Sequence, residues 1–238
     1  MSDEAEDLLR RLMPDAFTPA DATLQERRSA STRLTILDAA IRCLAEHGYA
    51  GMTTARVVEM ARASRGAVLH HYPSKQALLE ATIDYAFYKR MSRYIADVAR
   101  MTEAERVDAN LGVQAHWEGY LTPEYQAYLE LHVAARTDEE LRRIFIPRAR
   151  QFDAVWRDEV AKVFPEWSAS RWRFDFGTYF ARAVHEGMAL NREIWNSPEL
   201  ERIMLEFVSA AEIMIREGRL DIRQPGEGEE PEKQAAAR

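Results

Sequence analysis

Helical periodicity along most of the chain is the feature that most limits its possible folds. Apolar residues recur three and four positions apart, and between 36 and 44 they form a continuous stripe on one helical face. No two β-branched or aromatic runs are joined by an Asn-Gly or Asp-Gly turn, which would indicate a β-hairpin. The sequence therefore predicts an all-α protein, and it contains no internal repeat.

Length and cysteine content set further limits. The 238 residues are enough for one large or two small domains. No apolar run approaches the roughly 18 residues of a membrane helix, so we expect no membrane association. The acidic start, MSDEAEDLL, lacks the pattern of a secretory signal. The single cysteine, Cys43, excludes an intrachain disulfide and a cysteine-based zinc site, and we expect it to be buried in a cytoplasmic protein.

Charge is distributed unevenly along the chain. The net charge of -7 would by itself argue against a nucleic-acid partner. Residues 27–80, however, contain eight basic and four acidic side chains, so the acidic excess lies elsewhere. A basic segment in an acidic chain indicates an anionic partner for that segment, although a solvated surface would give the same count.

Three short predicted helices followed by a long one form the pattern of a helix-turn-helix domain. Thr53, Ser64 and Ser74 are the expected N-caps of the second, third and fourth helices. The turn between the second and third helices is very short, and Gly66 is small enough to avoid a clash between them. The predicted helices span about 31–47, 54–61, 64–71 and a long segment from 75 onward.

Three linked segments of this region resemble the N-terminal DNA-binding domain of the TetR family of transcriptional regulators. They are ILDAA, HGYAGMTT and GAVLHHYPSKQALL, in the family's order and at its spacing within residues 36–81. The chain departs from the family at Arg62, where the turn usually has glycine, and at Leu69, where a tyrosine hydroxyl often meets a phosphate. A non-glycine at 62 must adopt an unusual backbone conformation or shift the turn.

Two adjacent histidines lie in the third helix, which the resemblance identifies as the recognition helix. His70 and His71 point about 100° apart on a regular helix, so they cannot hold one metal ion, and we expect at least one to contact DNA. The alternative is that His71 and Tyr72 pack against the fourth helix while His70 meets solvent. The resemblance places Arg65, Ala67 and His70 near base edges and Thr54, His71 and Lys75 near phosphates, as arginine chemistry and helix N-termini allow. The expected DNA-binding residues are Arg33, Thr53, Thr54, Ser64, Arg65, Gly66, Ala67, His70, His71, Tyr72 and Lys75.

The patterning and the resemblance together divide the chain into four parts. We expect a flexible N-terminal extension over 1–28 and the helix-turn-helix domain over 29–76. A larger helical domain for effector binding and dimerisation follows over 77–220, and a disordered tail over 221–238. Within the larger domain, the spacing of Thr137 and Glu140 predicts a capping box, and Pro147 is expected to kink the next helix.

The last two predicted helices have apolar faces that need partners. The first, from about 170 to 194, is apolar on two sides, and the second has a Ser197 cap, Pro198 at its first position and a Gly218 stop. By resemblance to the family, we expect these helices to meet their copies in a homodimer, with a monomeric bundle core as the alternative. The expected interface residues are Phe176, Phe180, Val184, Met188, Met204, Phe207, Ala211 and Met214.

The resemblance also implies an effector pocket in the larger domain. Aromatic side chains with a few polar tips suit a small, partly apolar ligand, although plain core packing is the alternative role for each of them. The candidates are His116, Trp117, Tyr120, Tyr125, Tyr128, His132, Phe152, Trp156 and His185. Nothing in the spacing of the three histidines brings them together as a metal site, and we expect no cofactor.

These patterns favour a DNA-binding transcriptional regulator, a repressor that binds a double-stranded palindromic operator as a dimer and is released by a small-molecule effector. The alternative is a helical dimeric interaction or ligand-binding protein that has lost sequence-specific DNA binding, which Arg62 and Leu69 would favour. We do not expect an enzyme, because the chain has no G-x-S-x-G, P-loop or H-E-x-x-H motif and no cysteine pair.

Overall fold

The structure is a computed structural model of the chain and describes residues 3–13, 21–102, 105, 109–163 and 170–220. Within these ranges the chain is helical and contains no strand, which confirms the predicted all-α class. The helices are α1 (Asp3–Leu12), α2 (Leu24–Gly51), α3 (Thr54–Ala61), α4 (Arg65–His71), α5 (Lys75–Arg100), α6 (Ala109–Tyr120), α7 (Pro123–Ala134), α8 (Glu139–Val163), α9 (Arg171–Trp195) and α10 (Pro198–Arg216). The tail expected over 221–238 lies outside the described residues.

The first long helix, α2, begins earlier than the sequence pattern predicts. The Thr23 hydroxyl accepts a hydrogen bond from the Glu26 N–H at 3.2 Å, and the Glu26 carboxylate accepts one from the Thr23 N–H at 2.8 Å. This reciprocal capping box starts the helix at Leu24. Earlier still, α1 buries Leu9 and Met13 in the N-terminal core. The expectation of a loose extension over 1–28 is therefore wrong for residues 3–12 and 24–28, which are helical.

Two left-handed residues shape the helix-turn-helix region. Gly48, with a φ of 68°, breaks α2 at the predicted stop. Arg62 has a φ of 51° and a ψ of 35°, so the unusual backbone conformation required at the family's glycine position is present. This conformation costs a non-glycine residue roughly 1–2 kcal/mol. The N–H groups of Arg62 and Ala63 donate to the carbonyls of Glu59 and Val58 at 3.0 and 3.2 Å, which closes the turn.

The three-helix unit shares one hydrophobic core with the larger domain. The predicted apolar stripe of α2 is buried, together with Val57 of α3 and Val68 of α4. The same cluster continues through Phe87 of α5 and Phe145 of α8, and α2 packs along α7. Because interiors are close-packed, a change in the packing of α5 or α7 must be felt by α2.

A second hydrophobic cluster joins α6, α7, α9 and α10. Its buried members are Val113, Trp117, Tyr120, Tyr125, Leu129, Ala181, Met188, Leu205 and Val208. This cluster takes up one apolar side of α9, so the other side is left for a second partner, as the sequence predicts. The expected cap and stop of α10 are present, since the Ser197 hydroxyl accepts from the Leu200 N–H at 3.2 Å and Gly218 has a φ of 67°.

The start of α8 differs from its predicted capping box. The Asp138 carboxylate accepts a hydrogen bond from the Leu141 N–H at 2.9 Å, whereas the Thr137 hydroxyl donates to the Ala134 carbonyl at 3.5 Å. Asp138 is thus the capping residue, and α8 continues through Pro147 as one helix. Among the helices of the described ranges, none combines the length and the apolar character that crossing a membrane requires.

Candidate nucleic-acid interface and ligand cavity

The short helix α4 packs on the N-terminal core by one side and leaves its outer side exposed. Val68 is completely buried in that core. The Ser64 hydroxyl accepts a hydrogen bond from the Ala67 N–H at 3.1 Å and so fixes the start of the helix. The exposed residues of the outer side are Arg65, Gly66, Leu69 and His70. This side therefore offers a guanidinium, an imidazole and a glycine to a partner outside the chain.

The helix N-termini beside α4 carry hydroxyl caps at exposed positions. The Thr53 hydroxyl accepts from the Arg56 N–H at 3.2 Å, and the Ser74 hydroxyl accepts from the Ala77 N–H at 3.0 Å. Lys75 is exposed in the first turn of α5. Because helix N-termini attract anions, these positions are suited to phosphate groups.

Gly66 has no packing role inside the chain. A Cβ built at this position would lie 4.0 Å from the Ser64 hydroxyl oxygen, its nearest neighbour outside the adjoining backbone. The expectation that Gly66 prevents a clash between the two helices is therefore wrong. Since glycine in a helix is roughly 0.5–1 kcal/mol less favourable than alanine, its presence on an exposed side suits the close approach of an external surface.

The remaining expected DNA contacts differ in exposure. Tyr72 is buried in the N-terminal core, where it covers the junction of α4 and α5, so it is corrected from a DNA contact to a core residue. His71 is half-buried beside it, with the two ring centroids 6.5 Å apart, and His70 faces outward. Arg33 and Thr54 are half-buried. Of the two histidines, His70 is therefore the more accessible.

Part of the basic excess of residues 27–80 is used within the protein. Arg42 donates to the Met60 carbonyl at 3.3 Å, and Arg56 donates to the Gly51 carbonyl at 2.5 Å. Arg65, by contrast, forms no ion pair or hydrogen bond with another residue in the described ranges. Arg42 and Arg56 thus stabilise turns within the protein, whereas Arg65 is exposed and available to a partner.

A cavity of about 430 Å³ lies within the larger domain, bounded mainly by α5, α6, α9 and α10. Its volume falls in the range of small-molecule sites. Four of the nine predicted effector residues line it, namely His116, Tyr120, Tyr125 and Trp156.

Three other predicted effector residues lie in the cores instead. The indole N–H of Trp117 donates to the Glu201 carboxylate at 3.0 Å, behind the cavity wall. Phe152 stacks on Phe87 with ring centroids 4.4 Å apart, and Tyr128 is tilted against the same ring at 6.2 Å. Trp117, Tyr128 and Phe152 therefore have the alternative role, which is packing in the core.

His132 and His185 have opposite environments, and neither lines the cavity. His185 is fully buried, with ring centroids 5.4 Å from His116 and 5.1 Å from Tyr120, and neither ring nitrogen has a hydrogen-bond partner among the described residues. Burial lowers the pKa of His185 to about 4. His132 is exposed. In the part of the chain that the structure describes, no three His, Cys, Asp or Glu side chains form a group that could hold a metal ion.

Several polar residues line the cavity that the sequence pattern did not single out. Arg90 and Tyr94 lie one turn apart on α5, and Glu212 lies on α10. Burial raises the pKa of Glu212 to about 8, against an opposing effect of Arg216, and burial also raises the pKa of Tyr94. The sequence offered one signal for these residues, the i, i+4 spacing of Arg90 and Tyr94. Polar pairs at this spacing are common on solvated helix faces, so the spacing did not indicate a cavity.

Lys89 connects the cavity to the helix-turn-helix unit. Its Nζ lies 2.6 Å from a Glu124 oxygen and 2.9 Å from an Asp38 oxygen, and the Tyr85 hydroxyl donates to the same Asp38 oxygen at 3.3 Å. Burial acts to lower the pKa of Lys89, but the hydrogen bonds to Glu124 and Asp38 outweigh it and raise the pKa. Lys89 and Glu124 line the cavity whereas Asp38 belongs to α2, so a ligand that moves either lining residue alters a contact of α2.

The outer faces of α9 and α10 expose large apolar side chains. Phe207 is 63% exposed and Ile194 is 78% exposed, and Leu190 and Ile203 are exposed on the same two helices. Solvent-facing side chains of this size on adjacent helices mark a surface that fits another apolar surface.

The predicted interface residues are only partly on this face. Phe176 and Phe207 are exposed, and Phe180, Ala211 and Met214 are half-buried. Met188 is buried in the second hydrophobic cluster, and Val184 and Met204 pack against that cluster. Met188 is therefore corrected to the inward side of α9, whereas Val184 and Met204 are half-buried at the edge of the cluster.

A helix-turn-helix unit whose short helix α4 is exposed on one side, joined to a larger helical domain with a cavity, defines the class of helix-turn-helix proteins. The profile of the family described as "Bacterial regulatory proteins, tetR family" matches residues 36–82. The "HTH-type transcriptional regulator CymR" of Pseudomonas putida is 35% identical over 118 residues, 50% of this chain and 58% of its own length. The "HTH-type transcriptional repressor AcnR" of Corynebacterium efficiens is 34% identical over 140 residues, 57% of this chain and 67% of AcnR.

Solved structures share the fold over most of the chain. A TetR transcription regulator from Haloarcula marismortui aligns with a TM-score of 0.58 and 23% identity, over 79% of this chain and 98% of its own. The "multidrug binding protein EbrR complexed with imidazole" aligns with a TM-score of 0.53 and 19% identity, over 83% of this chain and 96% of its own. The chain belongs to the TetR family: it is a transcriptional regulator with a DNA-binding domain, and not an enzyme.

Proposed function

We propose that the protein is a repressor that binds a palindromic operator as a homodimer and leaves it when a small-molecule effector enters the cavity. The observation that carries the proposal is the outer side of α4, where Arg65 has no partner among the described residues and Gly66 leaves room for close approach. AcnR is named as a transcriptional repressor, which supports repression, and not activation, as the effect of this protein on transcription. The proposed DNA contacts are Arg33, Thr53, Thr54, Ser64, Arg65, Gly66, Ala67, His70, His71 and Lys75.

Within this set the roles follow from chemistry. Arg65 can donate two hydrogen bonds to a guanine edge in the major groove, which specifies sequence. Lys75 and the N-termini of α3 and α5 can bind phosphates, which positions the protein without reading sequence.

The rival function is a dimeric helical protein that no longer reads DNA. Exposed Leu69 favours it, since a leucine cannot donate a hydrogen bond to a phosphate. Arg62 does not favour it, because its left-handed conformation keeps the tight turn of the helix-turn-helix.

Dimerisation and effector release have separate supports. The exposed apolar side chains of α9 and α10 suit a four-helix contact between two copies of the chain. Release is supported by the position of the cavity, which touches both of these helices and the Lys89–Asp38 pair. An effector that binds one conformer better shifts the population towards it, and a changed separation of the two α4 helices would lose the operator.

The test is selection of binding sites from random duplexes at about 0.15 M salt, where weak phosphate contacts are screened. We expect enrichment of a palindrome with half-sites about one helical turn apart, roughly 34–36 Å. Arg65→Ala should relax one position in each half-site, at a cost of about 1–3 kcal/mol.

A matched control is Arg100→Ala, which removes an exposed arginine at the other end of α5 and should leave the selected sequence unchanged. If a wild-type protein that is folded, dimeric and free of ligand enriches no sequence, the result favours the rival function.

A further inference from the structure

Arg90 differs from the other two cations that α5 contributes to the cavity wall, because it has no acidic partner. Lys89 pairs with Asp38 and Glu124, and Arg93 lies 3.5 Å from Asp97. Arg90, between them on α5, makes no ion pair or hydrogen bond with any residue in the described ranges.

The Arg90 guanidinium is instead surrounded by aromatic rings. Its central carbon lies 4.4 Å from the ring centroid of Tyr125, 4.6 Å from that of Tyr128 and 5.0 Å from that of Phe152. Nη1 is shut off from solvent. Aromatic faces attract the charge, but they leave the N–H donors without an acceptor. A carboxylate would supply two acceptor oxygens in the geometry that a guanidinium fork matches.

The hydroxyl of Tyr94, one turn further along α5, is likewise buried without a hydrogen-bond partner among the described residues. Its ring is tilted against that of Trp156, with centroids 4.6 Å apart. Arg90 and Tyr94 therefore line the same cavity from one face of α5. Because Nη1 and the Tyr94 hydroxyl are closed to solvent, a ligand in the cavity would meet the other two nitrogens of the Arg90 guanidinium, Nε and Nη2.

The rest of the wall fits the apolar body of such a ligand and not a cation. Val98, Val113, Phe174 and Ile215 contribute apolar surface. The lining contains five basic and three acidic side chains. Of the acids, Glu212 is largely protonated near pH 7, because burial raises its pKa to about 8. The cavity therefore has a positive excess that would oppose an amine.

We propose that this cavity binds a small organic monoanion, a carboxylate attached to an aromatic or aliphatic body, with Arg90 as the group that holds the carboxylate. The proposal names the ligand class of the effector site proposed above and rests on that function. Release of DNA by such a ligand would follow from its position next to Lys89, whose partner Asp38 lies on α2.

The test compares three probes that share one skeleton and differ in charge: 4-phenylbutyrate, 4-phenylbutanamide and 4-phenylbutylamine. Each is titrated calorimetrically into the full-length protein, and decanoate and decylamine extend the comparison to a longer apolar body. We expect each carboxylate to bind, the amide to bind about tenfold to hundredfold more weakly, and the amines to give no binding. Equal binding of acid, amide and amine, or no binding of either carboxylate, would overturn the proposal.

Arg90→Met keeps an unbranched stem among the aromatic rings and removes the charge. It should weaken carboxylate binding at least tenfold and erase the preference for acid over amide. Arg90→Lys keeps the charge without the fork and should give an intermediate loss, which also covers the case that Arg90→Met does not fold.

Arg93→Met is the matched control, because Arg93 lines the same cavity but has acidic partners. It should change carboxylate affinity by less than about threefold. If Arg93→Met lost as much carboxylate affinity as Arg90→Met, the ligand would be attracted by the overall positive charge of the cavity. That result would contradict the assignment of carboxylate binding to Arg90.

Site selection with random duplexes, run on the same preparations, separates the two proposals. A protein that selects a palindrome but binds no carboxylate contradicts the ligand class alone. A protein that binds carboxylates through Arg90 but selects no duplex contradicts the regulatory function.

Discussion

At the residue scale, a substitution at Gly66 should have opposite effects on protein stability and on DNA binding. Since a Cβ would meet nothing closer than 4.0 Å, Gly66→Ala should raise the free energy of unfolding by roughly 0.5–1 kcal/mol through helix propensity. The same methyl group would stand on the outer side of α4, so operator affinity should fall at least about tenfold. Denaturant unfolding and fluorescence anisotropy with the selected duplex measure the two effects.

Gly112→Ala is the control for this variant. A Cβ at Gly112 in α6 also meets nothing within 4 Å, so stability should rise by a similar amount while operator affinity, measured without effector, stays unchanged. If Gly66→Ala binds the operator as tightly as the wild type, the outer side of α4 does not approach DNA closely.

Some residue-scale features were predictable and others were not, for physical reasons. The Ser64 and Ser74 caps were predictable because a cap depends only on residues within one turn. Arg90 was not predictable as a cavity residue. The three aromatic rings that surround its guanidinium come from two other helices, and sequence does not show which helices pack against α5. Gly66 was identified correctly as unusual but for the wrong reason, since packing distances are invisible in sequence.

At the scale of helices, the packing of α9 against α6 depends on a neutral histidine. The pKa of buried His185 is lowered to about 4, so between pH 6.5 and 4 the unfolded chain binds a proton that the folded chain does not. The free energy of unfolding therefore falls as the pH drops through this range. From pH 6.5 to 5, before most carboxylates titrate, the loss should be at most about 2 kcal/mol.

His185→Phe should remove this contribution and weaken the dependence of stability on pH between 6.5 and 5, as measured by denaturant unfolding at several pH values. Burial also lowers the pKa of the neighbouring His116, so part of the dependence should remain. His132→Gln changes an exposed histidine and should leave the dependence as it is in the wild type. The same slope in His185→Phe as in the wild type would mean that His185 is protonated in the folded protein.

Helix positions were predicted well from periodicity, but helix orientation was not. The two apolar sides of α9 were visible in the sequence, yet Met188 was assigned to the outer side although it is buried in the second hydrophobic cluster. Which side faces inward is decided by tertiary contacts, and periodicity describes only the separation of the two sides. The start of α2 was missed because the Thr23–Glu26 capping box precedes the apolar stripe by about three turns.

At the scale of the whole molecule, the apolar outer face of α9 and α10 should hold two copies together. Phe207→Glu places a charge on this face, where burial in a dimer would be costly, so the variant should be a folded monomer with weaker operator binding. Light scattering coupled to size-exclusion chromatography measures the mass.

Val133→Glu makes the same kind of change at a 52% exposed position on α7 and should leave the mass unchanged. A Phe207→Glu protein that keeps the dimeric mass would place the interface elsewhere on the molecule.

The most direct test of a symmetric dimer that reads DNA through α4 is the effect of half-site spacing on affinity. The selected palindrome is compared with versions lengthened at the centre by about 5 and by about 10 base pairs, roughly a half and a full helical turn. We expect the half-turn insertion to cause the larger loss, at least about a hundredfold, because it puts the second half-site on the opposite face of the duplex. Equal affinity for all three duplexes would show that each α4 binds independently, and would contradict the dimeric account.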